Sequence, residues 1–311
     1  MDRPNLPNPF LTLQSRYLVL GTYLIASVVL GLAYGFLGET SLLPRLEDDP
    51  ISVPILSIAV WTVLAGIILF VGRTRGVNLR YLFGRVSRQL PHISLPSVGL
   101  LIASLLIFSL GSFSVVFYFL SLSFPSYAAK MLESNIMLGG GNSSYPQLYD
   151  ALMLFLLLLY APFVEELVFR GILLQRWSAK WGLRWGLVAS SMLFGLLHVN
   201  NPLGLTLFGL VMGLLYVRSR SLWVPIGCHA LNNVAAVGLD GLSKMTSSEQ
   251  PLTVTDFQAS WWVGLVLIAV SSPFVMHFIW QSWPKRGDEI PYLTNVGLAD
   301  DIGLADGNKV G

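Results

Sequence analysis

Eight stretches of this chain are candidates to cross a lipid bilayer as helices, at about 16–37, 51–72, 97–120, 147–175, 183–199, 203–218, 221–238 and 257–282, the fifth to seventh being short and carrying polar residues. Hydrocarbon offers no water to backbone N–H and C=O groups, so a spanning segment must satisfy them internally, and runs of ~20 apolar residues do so as helices. The composition agrees: 54% of the 311 residues are hydrophobic, 12% are charged, and the mean hydropathy is +0.65. The expected fold is an all-α membrane protein, a polytopic bundle of about eight transmembrane helices. The net charge of +2 says little about partners. The bilayer is one partner, and no nucleic-acid partner is expected.

Three regions are expected: a flexible N-terminal segment at 1–15, a single transmembrane catalytic domain at 16–282, and a flexible polar tail at 283–311. The first apolar run is too long for a signal-peptide core and shows no small-residue cleavage site, so it reads as a retained helix. The single cysteine, Cys228, leaves no intrachain disulfide and no cysteine-based metal site. With eight spans and a cytoplasmic N-terminus, fifteen Lys and Arg fall on one side and only Arg45, Lys130 and Lys244 on the other. That bias predicts an integral, multi-pass protein with both termini in the cytoplasm.

Smaller signals sit on this frame. Residues 73–95 carry five arginines, and Leu79, Leu82, Phe83, Val86 and Leu90 share a helical face there. Both a surface helix on anionic headgroups and an ordinary basic loop fit that pattern. The external segment 121–146 holds the flexible run from Gly139 to Ser144, with an Asn142-Ser143-Ser144 sequon. Pairs such as Gly31/Gly35, Gly182/Gly186 and Gly209/Gly213 predict close helix contacts.

The costly residues are polar ones inside the apolar runs. Glu165, Glu166 and Arg170 lie in the fourth run. A charge near the bilayer centre costs at least about 2.5–3.5 kcal/mol on insertion scales, so these three are expected to face protein or water. Glu166 and Arg170 are four residues apart, acid first, which favours an intrahelical ion pair. Glu165 points ~100° away and needs a partner from another helix. Pro162, just upstream, frees a carbonyl and bends the axis. The fifth run ends with Phe194 and His198 on one face, and the seventh carries His229 and Asn233 on one face. Convergence of Glu165, His198, His229 and Asn233 would give each otherwise costly group a partner.

Three motifs in order, Glu165-Glu166-xxx-Arg170, Phe194-xxx-His198 and His229-xxx-Asn233, resemble the CAAX protease and bacteriocin-processing (CPBP or Abi) family, which includes the type II CaaX prenyl endopeptidases. The resemblance implies a multi-helix intramembrane endopeptidase acting on a protein or peptide substrate, lipidated in some members. It implies that Glu165 and His198 activate the attacking water and that His229 and Asn233 stabilise the oxyanion. Glu166, Arg170 and Phe194 fall in supporting positions.

The residues themselves admit the same chemistry. Amide hydrolysis needs a positioned water, a base and donors for the developing oxyanion. Cys228 neighbours His229 in sequence but points ~100° away from it, so no thiol or hydroxyl is placed as nucleophile. The preferred mechanism uses no cofactor. A zinc reading stays open, with Glu165, His198 and His229 as ligands, although the helical HExxH pattern is absent. Two further classes stay open: a proton-coupled transporter, whose inverted repeats are not visible, and a non-catalytic membrane immunity or scaffold protein.

Overall fold

Every regular element in the computed structural model is helical over the residues it describes, 8–14, 49–85, 95–133, 143–246 and 253–298. The elements are α1 (Ser52–Thr74), α2 (Leu79–Phe83), α3 (Leu95–Ser123), α4 (Pro125–Glu133), α5 (Pro146–Trp181), α6 (Leu183–Leu197), α7 (Pro202–Ser219), α8 (Trp223–Thr246), α9 (Val254–Ser282) and α10 (291–298). Five of them, α1, α3, α5, α7 and α9, are long and apolar enough to cross a membrane. The protein is an all-α membrane protein.

The expected spans at 183–199 and 221–238 form helices but fall short of that standard. The fifteen residues of α6 extend about 22 Å, less than the ~30 Å hydrocarbon layer. α8 is long enough, yet His229, Asn232, Asn233 and Asp240 lower its hydropathy. The expected first span at 16–37 lies outside the described residues, as do His92, Gly31/Gly35, Val86, Leu90 and the run from Gly139 to Asn142.

Local sequence sets the boundaries. Pro146 opens α5, and Gly182, at φ +86, ends it and turns the chain into α6. Asn201 caps α7 by accepting from the Gly204 N–H, with Pro202 in the first turn. Thr253 and Asp256 form a capping box at the start of α9. α3 and α9 cross at Gly111 and Gly264, where a Cβ on either would meet the other's carbonyl oxygen at 2.6–2.7 Å.

α5 runs through the centre of the bundle. Val164, Leu167 and Leu174 pack with Leu187, Leu214, Tyr216 and Leu222 on one side. Phe169 and Leu173 pack with Phe194, Phe208, Val211, Met212 and Leu101 on the other. Continuous burial from Phe169 to Gln175 removes that part of α5 from lipid. Arg170 lies in this stretch and Glu166, one turn before it, is also buried, so both charges are kept from lipid.

One end of the bundle corrects three expectations. Residues 8–14 are not loose: Phe10 and Leu13 are buried, and Phe10 meets Tyr292 edge to face at 5.2 Å. The polar tail begins ordered, because residues 283–298 fold back with Ile290 and Tyr292 buried. Tyr292 Oη accepts from the Asn78 N–H, and Asn295 donates to the Tyr81 and Arg220 carbonyls. Leu79, Leu82 and Phe83 do share one helix, but α2 has only five residues and packs on the bundle: Leu82 is buried, and its carbonyl accepts from Tyr216 Oη at 2.8 Å. Apolar side chains among the polar residues of both ends explain the packing; a count of polar residues does not reveal it.

At the opposite end, Asp49 accepts from the Ile51 N–H, the Ser143 hydroxyl and the Ser144 N–H. These hydrogen bonds hold the Asp49 carboxyl below the usual carboxylate range.

Candidate active site

α5 is not uniformly α-helical. Leu156–Tyr160 and Leu167–Leu174 are wound as π-helix, on either side of an α-turn from Ala161 to Glu166. Such segments are frequent at functional sites. Here they bracket Glu165 and Glu166.

The two acids meet different partners. Glu166 is fully buried, and its Oε1 accepts from Arg170 Nη1 at 2.9 Å. Arg170 Nη2 donates to the Gly209 carbonyl at 2.8 Å. The guanidinium lies 4.8 Å from the Phe194 ring centroid, a cation–π arrangement. Gly209 has room for nothing larger without adjustment: an added Cβ would meet Ser191 Cα at 3.3 Å and Arg170 Nη2 at 3.4 Å.

Glu165 points away from this pair and faces two imidazoles. Its Oε1 lies 3.9 Å from His198 Nε2, and its Oε2 lies 3.7 Å from His229 Nε2. The other ring nitrogens are engaged. His198 Nδ1 is 2.7 Å from the Phe194 carbonyl, and His229 Nδ1 is 2.9 Å from Glu166 Oε1. A carbonyl only accepts, so His198 carries its proton on Nδ1 and, in the neutral ring, presents a lone pair at Nε2. The carboxylate of Glu166 favours the same tautomer for His229. Phe194 links both rings, at 4.5 Å from His198 and 6.2 Å from His229, and Phe208 sits 4.8 Å from His229.

Asn233 is placed differently. One turn along α8 from His229, its amide donates to the Leu157 carbonyl at 2.8 Å. In the π-wound stretch Ala161 N–H bonds Leu156 O. The next bond in that register would run from residue 162 to Leu157 O, but residue 162 is proline and has no N–H. Asn233 therefore satisfies the carbonyl that Pro162 leaves free, and ties α8 to α5 just above the acids.

Leu222 and Leu82 pack against Gly171, so α5 continues past the turn that follows α7. His229, seven residues beyond Leu222, then reaches Glu166, five residues before Gly171.

The three groups of the alternative zinc set face one another across short gaps. Ligand atoms around tetrahedral zinc at ~2.0–2.1 Å stand about 3.3 Å apart, and the two gaps here are 3.7 and 3.9 Å. Among the described residues no group of three or more His, Cys, Asp or Glu is disposed to hold a metal ion.

Sequence reasoning did not single out Phe208, Asn201, the Gly209 carbonyl or the Leu157 carbonyl. The first two carried local signals, an aromatic on an apolar face and an Asn-Pro pair before a helix. The carbonyls carry none, because only tertiary contact shows which backbone oxygen is used.

Residues 147–235, from the first turns of α5 to the middle of α8, match the family model described as Type II CAAX prenyl endopeptidase Rce1-like. A relative in Bacillus subtilis (strain 168), described as "Putative membrane peptidase YdiL", is 31% identical over 88 residues. The aligned region is 28% of this chain and 36% of that protein, so it spans little more than a third of the relative. No solved structure matches the chain. The matched segment holds Glu165, Glu166, Arg170, Phe194, His198, His229 and Asn233 in their motif order, and over it the chain is similar to the type II CAAX prenyl endopeptidases.

Proposed function

We propose that this protein is an intramembrane endopeptidase that hydrolyses a peptide bond with a water activated by Glu165 and His198. The observation that carries the reading is the position of the Glu165 carboxylate, 3.9 Å from His198 Nε2 and 3.7 Å from His229 Nε2. Both gaps exceed direct hydrogen-bond length, and the three groups surround the position at which this reading places the attacking water.

Glu165 takes a proton from that water while the oxygen attacks the scissile carbonyl carbon. His198, with Nδ1–H committed to Phe194 O, accepts a hydrogen bond from the same water at Nε2. The developing oxyanion needs donors. His229 supplies one when Nε2 is also protonated. That state balances the cluster, because Arg170 and a protonated His229 offset the two carboxylates. Asn233 has two amide hydrogens; one is used by Leu157, and the second is available for the oxyanion. Collapse of the tetrahedral intermediate breaks the C–N bond, and Glu165 returns its proton to the leaving amine. The products are one carboxylate and one amine.

The substrate in this reading is a membrane-associated protein or peptide, lipidated and of CaaX type, as the description of the matching family suggests. The test compares purified protein in detergent or liposomes against prenylated and unprenylated peptides ending in a CaaX sequence. Cleavage that requires the prenyl group supports the full reading. Cleavage of both peptides supports the peptidase and removes the lipid requirement. No cleavage of either, with protein that remains folded, overturns it.

A further inference from the structure

His198 does not belong to a regular helix. It is the C-cap of α6, at φ −99 and ψ 70, and its N–H bonds back to Gly195 O. Only three residues separate it from α7. Because α6 is about 22 Å long, its end stops inside the apolar layer when its basic start sits at the membrane surface. Irregular backbone at that depth persists only where protein groups or water satisfy it.

Asn201 supplies that satisfaction. Its N–H donates to the His198 carbonyl at 2.9 Å. Its side-chain nitrogen donates to Ser109 O at 2.9 Å and Ser109 Oγ at 2.8 Å, both on α3. Its Oδ1 accepts from the Gly204 N–H at 3.1 Å and from Ser112 Oγ at 3.0 Å. An amide side chain offers two donor hydrogens and two acceptor lone pairs, and all four are used. The Gly204 N–H can only donate, which fixes the amide orientation. The neighbourhood is close-packed: a Cβ on Gly204 would meet Ser112 Oγ at 2.5 Å, and one on Gly195 would meet Pro202 O at 2.4 Å. The α6–α7 connection is thus clamped to α3 through one side chain, three residues from His198.

We infer that Asn201 is a positioning residue: by fastening the α6–α7 connection to α3 it holds His198 Nε2 in line with Glu165. This rests on the reading of His198 as a water-activating group. A helix cap alone requires only an acceptor facing Gly204; the two donors to α3 exceed that need.

Asn201→Ser keeps a side-chain oxygen for the cap and loses the amide donors. In the purified full-length protein it is expected to lower kcat by about tenfold or more, as misplacement of a reacting group does, with KM within about twofold and a modestly lower melting temperature from the two lost donors to Ser109. Added to His198→Ala, it is expected to cause no further loss, because both changes act on one group. Nitrogen NMR of histidine-labelled protein, assigned with His198→Ala, reads the same effect without turnover: the His198 signal of the Nδ1–H tautomer is expected to shift or broaden in Asn201→Ser. Where Asn201→Ser does not fold, Asn201→Asp, isosteric and still a cap, replaces it.

A wild-type kcat, or an equal loss with and without His198, overturns the inference. Where the His198→Ala background turns over too slowly to read, an unchanged His198 signal overturns it. If wild-type protein cleaves no peptide, the peptidase reading fails by itself, and the NMR comparison still decides whether Asn201 positions His198.

Discussion

Arg170 and His229 share one acceptor, Oε1 of Glu166, at 2.9 Å each. A single buried carboxylate thus joins an intrahelical ion pair to an imidazole from α8, and sets how that imidazole faces Glu165. Removing one member of a buried pair leaves the other uncompensated, at a typical cost of 3–5 kcal/mol. Glu166→Ala and Arg170→Ala are each expected to destabilise by about that amount in thermal unfolding in detergent. The double variant should cost less than the sum. Strict additivity would remove the shared-acceptor account.

Glu165 lacks such a structural partner: its nearest imidazole nitrogens stand at 3.7 and 3.9 Å. Glu165→Gln is expected to lower peptide cleavage by about 10²–10⁴-fold, the usual contribution of a general base, while leaving the melting temperature within a few degrees. His198→Ala is expected to behave similarly. Wild-type cleavage rates in both variants would exclude the assigned roles.

The Asn233–Leu157 tie depends on Pro162. Asn233→Ala leaves the Leu157 carbonyl without its donor, at about 1–3 kcal/mol if no water replaces it. Pro162→Ala restores a backbone N–H in the same π register. The Pro162→Ala/Asn233→Ala double variant is therefore expected to recover part of the melting temperature lost in Asn233→Ala, without recovering activity. Recovery of both would make Asn233 purely an anchor; recovery of neither would show that the missing N–H is not what Asn233 replaces.

Gly195 allows α6 and α7 to touch: an added Cβ would meet backbone atoms of Pro202 and Thr206 at 2.4 and 2.6 Å. Backbone cannot swing aside as a flexible side chain can. Gly195→Ala is expected to lower expression and thermal stability more than Gly182→Ala, where a Cβ meets no heavy atom within 4 Å and the cost is the φ of +86 alone. Equal tolerance in side-by-side unfolding would contradict the contact.

A metal-free mechanism predicts that strong chelators leave the cleavage rate unchanged and that purified protein carries no stoichiometric zinc by elemental analysis. Zinc bound one to one, with activity lost on removal and restored on addition, would replace the proposed mechanism with the zinc set of Glu165, His198 and His229.

The chain alone determined that this is a helical membrane protein, because apolar length and the demand for internal hydrogen bonds leave few alternatives. It also determined the Glu166–Arg170 pair and the outward turn of Glu165, since helical phase is a local property. Helical phase likewise put Phe194 with His198. It did not determine that the two ends of the chain pack together, because Phe10 and Tyr292 are 282 positions apart and their contact has no periodic signature. It placed His229 and Asn233 on one face but did not show that Asn233 would be drawn to a carbonyl freed by a proline on another helix. Nor did it give the relative heights of α5 and α8, which follow from where the turn at Leu222 lodges against Gly171. Phase and hydropathy are written residue by residue; depth, register and the choice of backbone acceptor are properties of helices already packed.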